Sequence, residues 1–148
     1  MKNQSTKKWR FYLLTFFVLA AFTMPSVPAF AAPRTGTYEK HFVGTGADSY
    51  RTVVIKKIKK KQVVFQILYA RSYPFRESAT LKIVGIRKGN KVTFSYREPG
   101  WDSAGTGTMK LGKNNVKIKA TATSGYGFID TGGQTFKLKR VSGKKKFV

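Results

Sequence analysis

The chain contains no cysteine, a single histidine (His41) and only 6 acidic residues among 148. With no disulfide framework available, any fold must stand on its apolar core alone. A zinc site of ordinary composition is not expected from one histidine and no thiol, and His41 reads as an ordinary strand residue. The acids are too scattered for an EF-hand loop. No serine sits in a nucleophile-elbow context. Gly105-Thr106-Gly107 opens no helical pattern, which excludes a phosphate-binding P-loop. The sequence therefore implies no enzyme, no metal and no cofactor. Long apolar runs are equally scarce. Beyond Phe22 none approaches the roughly 20 residues a helix needs to cross a bilayer.

What is present begins with an export signal. Lys2, Lys7, Lys8 and Arg10 precede an uncharged apolar run over residues 11–22, Pro25 and Pro28 break it, and Ala29-Phe30-Ala31 follows. Basic start, apolar middle and small residues at −3 and −1 are the three parts of a secretory signal peptide. Residues 1–31 are read as that signal, with cleavage between Ala31 and Ala32 and a secreted product. Residues 32–141 then form one β-barrel domain and 142–148 a basic, loose tail. The absence of a cysteine near the cleavage site excludes a thiol-linked lipid anchor. A lysine-rich signal ahead of a cysteine-free protein resembles exported proteins of Gram-positive bacteria.

The second feature is charge. The chain holds 29 basic residues, of which four lie in the signal; the exported part carries 25 against 6 acids, a net charge of about +19. A field of that sign captures polyanions. Outside a cell these are wall polymers, anionic lipid headgroups, nucleic acid and acidic polysaccharides.

The third feature is period-two alternation, the mark of half-buried strands. It recurs over residues 37–43, 51–57, 62–70, 79–86, 91–97, 106–111, 116–121 and 135–141. Val63, Phe65, Ile67 and Tyr69 share one face, as do Val92, Phe94 and Tyr96, and Val116, Ile118 and Ala120. No helical period appears, and Gly89-Asn90 and Asn114-Asn115 are turn signals. The expected fold is all-β: a single antiparallel up-and-down barrel of about eight strands, whose closure removes sheet edges.

In such a barrel, successive connectors alternate between the two ends. Connectors 44–50, 71–78, 98–105 and 122–134 are long and share one end. They hold Tyr73, Phe75, Trp101, Tyr126 and Phe128, together with Asp102 and four more of the six acids. Connectors 58–61, 87–90 and 112–115 are short and acid-free, and they share the other end. That end gathers Lys59, Lys60, Lys61, Lys88, Lys113 and, from the tail, Lys144, Lys145 and Lys146. One pole is thus expected to bind polyanions. The other is an aromatic mouth where Tyr73, Phe75, Trp101, Asp102, Tyr126 and Phe128 would meet a ligand by ring stacking and carboxylate hydrogen bonds. Trp101 stands out there, set between turn residues. A carboxylate pair for glycoside hydrolysis would be conceivable among the mouth acids, but small barrels seldom offer the cleft. Rings and lysines at opposite ends argue against specific nucleic-acid binding, which wants them interleaved.

The Gly36-Thr37-Tyr38 opening, the Gly-Thr-Gly run into Thr108-Met109-Lys110-Leu111 and the closing Phe136-Lys137-Leu138-Lys139-Arg140 resemble small secreted calycin-like barrels, the group of lipocalin-like proteins and some bacterial lysozyme-inhibitor-like domains. The resemblance spans the exported part and is architectural, so no functional residue is carried over from it. It implies binding rather than catalysis. The expected function is a secreted, strongly basic, non-enzymatic binding protein, held at the anionic cell wall or membrane surface by its lysine-rich pole, with a small ligand or secreted protein as partner at the aromatic mouth. The alternatives are an inhibitor of a secreted hydrolase and a cationic antibacterial effector.

Overall fold

The computed structural model describes residues 31–148. The export signal read over residues 1–31 therefore lies outside the described residues except for Ala31. Ala31 and Ala32, which flank the expected cleavage bond, are exposed and precede the first strand.

Nine strands follow in sequence: β1 (Gly36–Phe42), β2 (Ser49–Ile58), β3 (Gln62–Arg71), β4 (Arg76–Ala79), β5 (Ile83–Lys88), β6 (Lys91–Glu98), β7 (Ser103–Leu111), β8 (Asn115–Ser124) and β9 (Phe136–Ser142). Every pairing is antiparallel, and β9 returns to β1 through Tyr38↔Arg140 and Glu39↔Lys139. The sheet thereby closes on itself. Strand β3 pairs with β4 over Leu68–Arg71 and with β5 over Gln62–Phe65. β4 and β5 are thus two halves of one stave, and the barrel has eight.

The strand expected over residues 79–86 is accordingly broken. At Thr80 the side chain enters the ladder: Thr80 Oγ1 accepts from Ile67 N (3.1 Å), and Thr80 O accepts from Gln66 Nε2 (2.8 Å). One residue later the backbone changes partner, and Leu81 N donates to Arg97 O on β6 (2.9 Å). The expected long connectors 71–78 and 98–105 also shrink. β3 runs to Arg71, opposite Arg76, leaving only residues 72–75 as a tip. β6 reaches Glu98, a single 3-10 turn (Pro99–Trp101) follows, and Asp102 enters β7 with a left-handed φ of 44°. The tail is not loose either. Thr37 Oγ1 donates to Lys144 O (2.9 Å), the Lys56 ammonium lies 5.1 Å over the Phe147 ring, and Val148 N donates to Gln66 Oε1 (3.1 Å). Residues 143–148 therefore climb the outer wall across β2 to β3. They satisfy the buried amide of Gln66, a polar group that would otherwise be costly on a sheet face.

The core is built as the alternation requires. Val63, Phe65 and Ile67, then Val92, Phe94 and Tyr96, then Val116, Ile118 and Ala120 all point inward and are buried. Each fully buried aliphatic or aromatic side chain contributes roughly 1.5–3 kcal/mol. The rings of β6 need space, and β7 supplies it: Phe94 faces Gly107 and Tyr96 faces Gly105. A Cβ on Gly107 would stand 2.4 Å from Phe94 Cζ and 2.6 Å from the Lys119 carbonyl oxygen. The Gly-Thr-Gly run is thus a packing device. Because one of the clashing atoms is backbone, Gly107→Ala should destabilise the fold by about 1–3 kcal/mol, the usual cost of overpacking. Gly100→Ala, where a Cβ meets nothing within 4 Å, should leave urea denaturation almost unchanged.

Candidate functional site

The mouth end is closed from inside. The β8–β9 connector folds back into the barrel and places Ile129 in the core, 1% exposed. Phe128 stacks on Tyr69 of β3 (centroids 4.8 Å, planes 3° apart) and takes the edge of Trp101 at 4.6 Å. The Arg76 guanidinium lies 5.7 Å over the Trp101 ring. Four elements from separate parts of the chain are thereby joined into one aromatic plug.

A carboxylate holds that plug. Glu98, at the inward parity of β6, is 0% exposed. It accepts from Ser78 Oγ of β4, from Phe128 N (2.9 Å) and from Ile129 N (3.3 Å). Only glycine at position 127 allows the approach, since a Cβ there would stand 1.9 Å from Glu98 Oε2. Opposite, Arg51 of β2 donates to Ile129 O (3.1 Å) and Asp130 O (2.7 Å). Burial lowers the proton affinity of Arg51 from its ordinary value, and Tyr69, Asp130 and Glu98 oppose that shift. Asp130 is occupied locally: its carboxylate accepts from Ala122 N (2.8 Å) and Gly132 N (2.6 Å). Tyr96 is pushed up to about 12, by burial first and then by Asp130 and Glu98, so its phenol is neutral at ordinary pH. The Tyr96 and Ser103 hydroxyls are buried side by side, neither aligned into a full hydrogen bond.

The structure divides the six expected mouth residues. Trp101 and Phe128 are half-buried and belong to the plug. Tyr73, Phe75 and Tyr126 stand out into solvent, 73%, 68% and 94% exposed. Asp102 is exposed, with its carbonyl oxygen against Gly125. Among the described residues, no three histidines or acids gather into a metal-binding group. His41 stacks on Tyr50 (4.4 Å) and meets Asp48 at 2.9 Å on the outer face.

At the other end the short connectors are stitched together. Arg87 N donates to Lys61 O (2.8 Å) and Arg87 Nη1 to Lys59 O (3.0 Å), while Arg140 N donates to Asn114 O (2.9 Å). Lys59, Lys60, Lys61, Lys88 and Lys113 are all exposed there. Lys144, Lys145 and Lys146 are exposed too, but they start at this pole and leave along the outer wall. A hollow of about 550 Å³ gathers Arg34, Arg87 and Arg140, which lie far apart in the sequence. The Glu98–Arg51 network is equally hidden in the sequence. Its one signal there is parity, since Arg51 shares the face of Val53 and Ile55, and Glu98 that of Phe94 and Tyr96.

Comparison with protein-family models, with curated proteins and with solved structures finds no match for this chain. The site is therefore read from its own geometry. Replacing the anchoring carboxylate tests that reading. Glu98→Gln leaves one acceptor oxygen where two backbone donors and a hydroxyl converge. Stability should fall by about 1–3 kcal/mol, the cost of unsatisfied buried donors. Hydrogen exchange should rise first at the amides of Phe128 and Ile129; exchange rising evenly through the barrel would count against an anchor at the mouth.

Proposed function

We propose that the exported protein is a non-enzymatic binding protein that adheres to the anionic cell wall through its lysine-rich surface and presents the mouth loops to a partner. The observation that carries this reading is unpaired charge. Among the described residues the one ion pair is His41–Asp48, so no described lysine lies within ion-pair distance of a described acid. Five of the six acids sit in or beside the mouth, and the rest of the surface is left basic. Lysine is a compact, strongly hydrated charge suited to non-specific attraction to phosphate. Kinship with calycin-like barrels is part of the same proposal and rests on the eight-stave up-and-down topology, an architectural argument.

The test is partition of residues 32–148, which contain the whole closed barrel, between purified Gram-positive walls and solution. Retention should require the anionic wall polymer and fall steeply with added salt, as counterion release demands. Retention on polymer-free walls, or indifference to salt, would overturn the wall-binding reading.

A second reading concerns the partner. Tyr73, Phe75 and Tyr126 are large apolar groups held out at one end, a composition typical of protein contact surfaces. We propose a secreted hydrolase as that partner. Adding the exported protein to culture fluid should lower a hydrolase activity, and the Phe75→Ser, Tyr126→Ser double variant should lose the effect. Equal inhibition by the variant, or none by either protein, would remove this reading. Trp101 is a poor probe of binding, because its loss disturbs the plug.

A further inference from the structure

We infer that the outer face of β5–β9 is a track for one flexible, linear polymer of repeating phosphodiesters and hydroxyl groups. The inference rests on the wall-binding reading above and gives it a surface and a ligand chemistry.

Strand register carries the argument. Lys88 lies opposite Lys91, Lys91 opposite Lys110, Lys110 opposite Lys117, and Lys117 opposite Lys137. All five are exposed. Side chains directly opposite one another stand about 5 Å apart at Cβ. One row of positive charge therefore crosses five successive strands, with a spacing of about 5 Å per step. Beside it run two rows of different chemistry: Thr93–Thr108–Lys119 and Ser95–Thr106–Thr121. A depression of about 360 Å³ lies along the boundary, lined by Lys91, Lys110, Lys117, Lys119, Thr108 and Thr135.

Ordinary explanations of surface lysine do not account for this row. Lysines often guard exposed sheet edges, but β5 to β9, which carry the row, are each paired on both sides. Solubility needs net charge, and interspersed charges supply it equally well. Like charges directly opposite destabilise a sheet. Here four such juxtapositions follow in succession, and no acid stands in the row; Glu39, on β1, lies opposite Lys139 and Thr52. An anionic chain laid along the row removes that repulsion.

The flanking residues narrow the chemistry. None of the flanking positions in the two hydroxyl rows is aromatic, so nucleic-acid bases find nothing there to stack on. Threonine and serine hydroxyls suit polyol or sugar hydroxyls between phosphates. Shape narrows it further. The row crosses five of eight staves and is convex, so a flat bilayer touches only part of it while a flexible polymer bends around it.

The test uses residues 32–148 and three probes: a poly(glycerol phosphate) chain, a thymidine oligonucleotide of equal charge, and phosphatidylglycerol vesicles. Two variants remove equal charge. One changes Lys91, Lys110, Lys117 and Lys137 to Gln; the other changes Lys59, Lys60, Lys61 and Lys113 to Gln. The row variant should lose tenfold or more in affinity for the glycerol polymer. Its slope of log affinity against log salt should become shallower by about 3, near 0.7–0.9 for each phosphate no longer neutralised. The pole variant should stay within about threefold. Equal losses in both variants would overturn the track and leave net-charge attraction standing. Loss confined to the pole variant would overturn the track as well. No polymer binding by the unaltered protein would overturn both the track and the wall-binding reading. Equal or tighter binding to the oligonucleotide or the vesicles would overturn the ligand chemistry. Lysine acetylation of the unaltered protein needs no variant to fold: the polymer should protect Lys91, Lys110 and Lys117 more than Lys59, Lys60 and Lys61, and uniform protection would overturn the track.

Discussion

The pairing of β9 with β1 is the constraint on which the rest depends. Once Tyr38 meets Arg140 and Glu39 meets Lys139, every strand except the short β4, which pairs with β3 alone, has a neighbour on each side. Alternation then acquires an absolute meaning. One parity of each strand faces a common interior and the other faces solvent. Tyr38 is held at this seam, and Arg140 donates through Nε and Nη2 to Thr35 O. Burial raises the Tyr38 phenol from its ordinary value, with Arg140 the largest opposing influence, so the seam carries a neutral hydroxyl beside a fixed cation. Closure also decides what the surface can be used for. Along β5 to β9, where both backbone sides of each strand are paired, the sheet must meet partners through side chains alone.

The two ends solve the remaining problem, what fills an eight-stave interior, in different ways. At the short-connector end, tight turns and the arginines Arg87 and Arg140 tie loop carbonyls together. At the long-connector end a loop is drawn inside. That takes a buried charge, because the β8–β9 connector brings backbone N–H groups into the barrel and Glu98 answers them. Removing charge from water is expensive unless hydrogen bonds replace the solvent. Three donors to one carboxylate, with Arg51 nearby, meet that condition. The mouth is consequently a rigid platform with three exposed rings, rather than an open cup.

The eight staves and their inward faces are legible in the sequence because alternation reports parity, and parity is all that closure needs. Val63 through Ile67 and Val92 through Tyr96 are buried as their alternation implies. The break at Thr80 is not legible, since a threonine hydroxyl that replaces a ladder bond leaves the alternation almost intact. The plug is hidden for a related reason. A loop that folds inward has no period, and Ile129 looks like any isolated apolar residue in a turn-rich stretch. Trp101 is not the free ring its neighbours suggest, because flanking turn residues say that a segment bends, not which side its ring covers. Glu98 and Arg51 carry a signal in their inward parity, but parity alone does not say that both hold the same loop.

The lysine row exposes a sharper limit. Lys91, Lys110, Lys117 and Lys137 are each an ordinary outward residue of an alternating strand. What sets them apart is that each lies directly opposite the next, and that follows from register, which depends on connector lengths and bulges. A shift of two residues in any one pairing would keep every side chain on its present face and scatter the row. The β7–β8 ladder does contain an irregularity, between Ala104 and Gly105, yet it lies toward the mouth, and the pairs from Gly105 to Leu111 run unbroken past it. The β6–β7 pairing is continuous over its whole length. The regular part of the β7–β8 ladder is therefore the part that carries the lysines, and the other register shifts, at Thr37/Tyr38 and Ile55/Lys57, lie outside the β5–β9 pairings. Charge order and backbone order coincide on one face. A fold under no demand beyond solubility has no physical reason to keep them together, because separating the charges would relieve repulsion at no cost to the core.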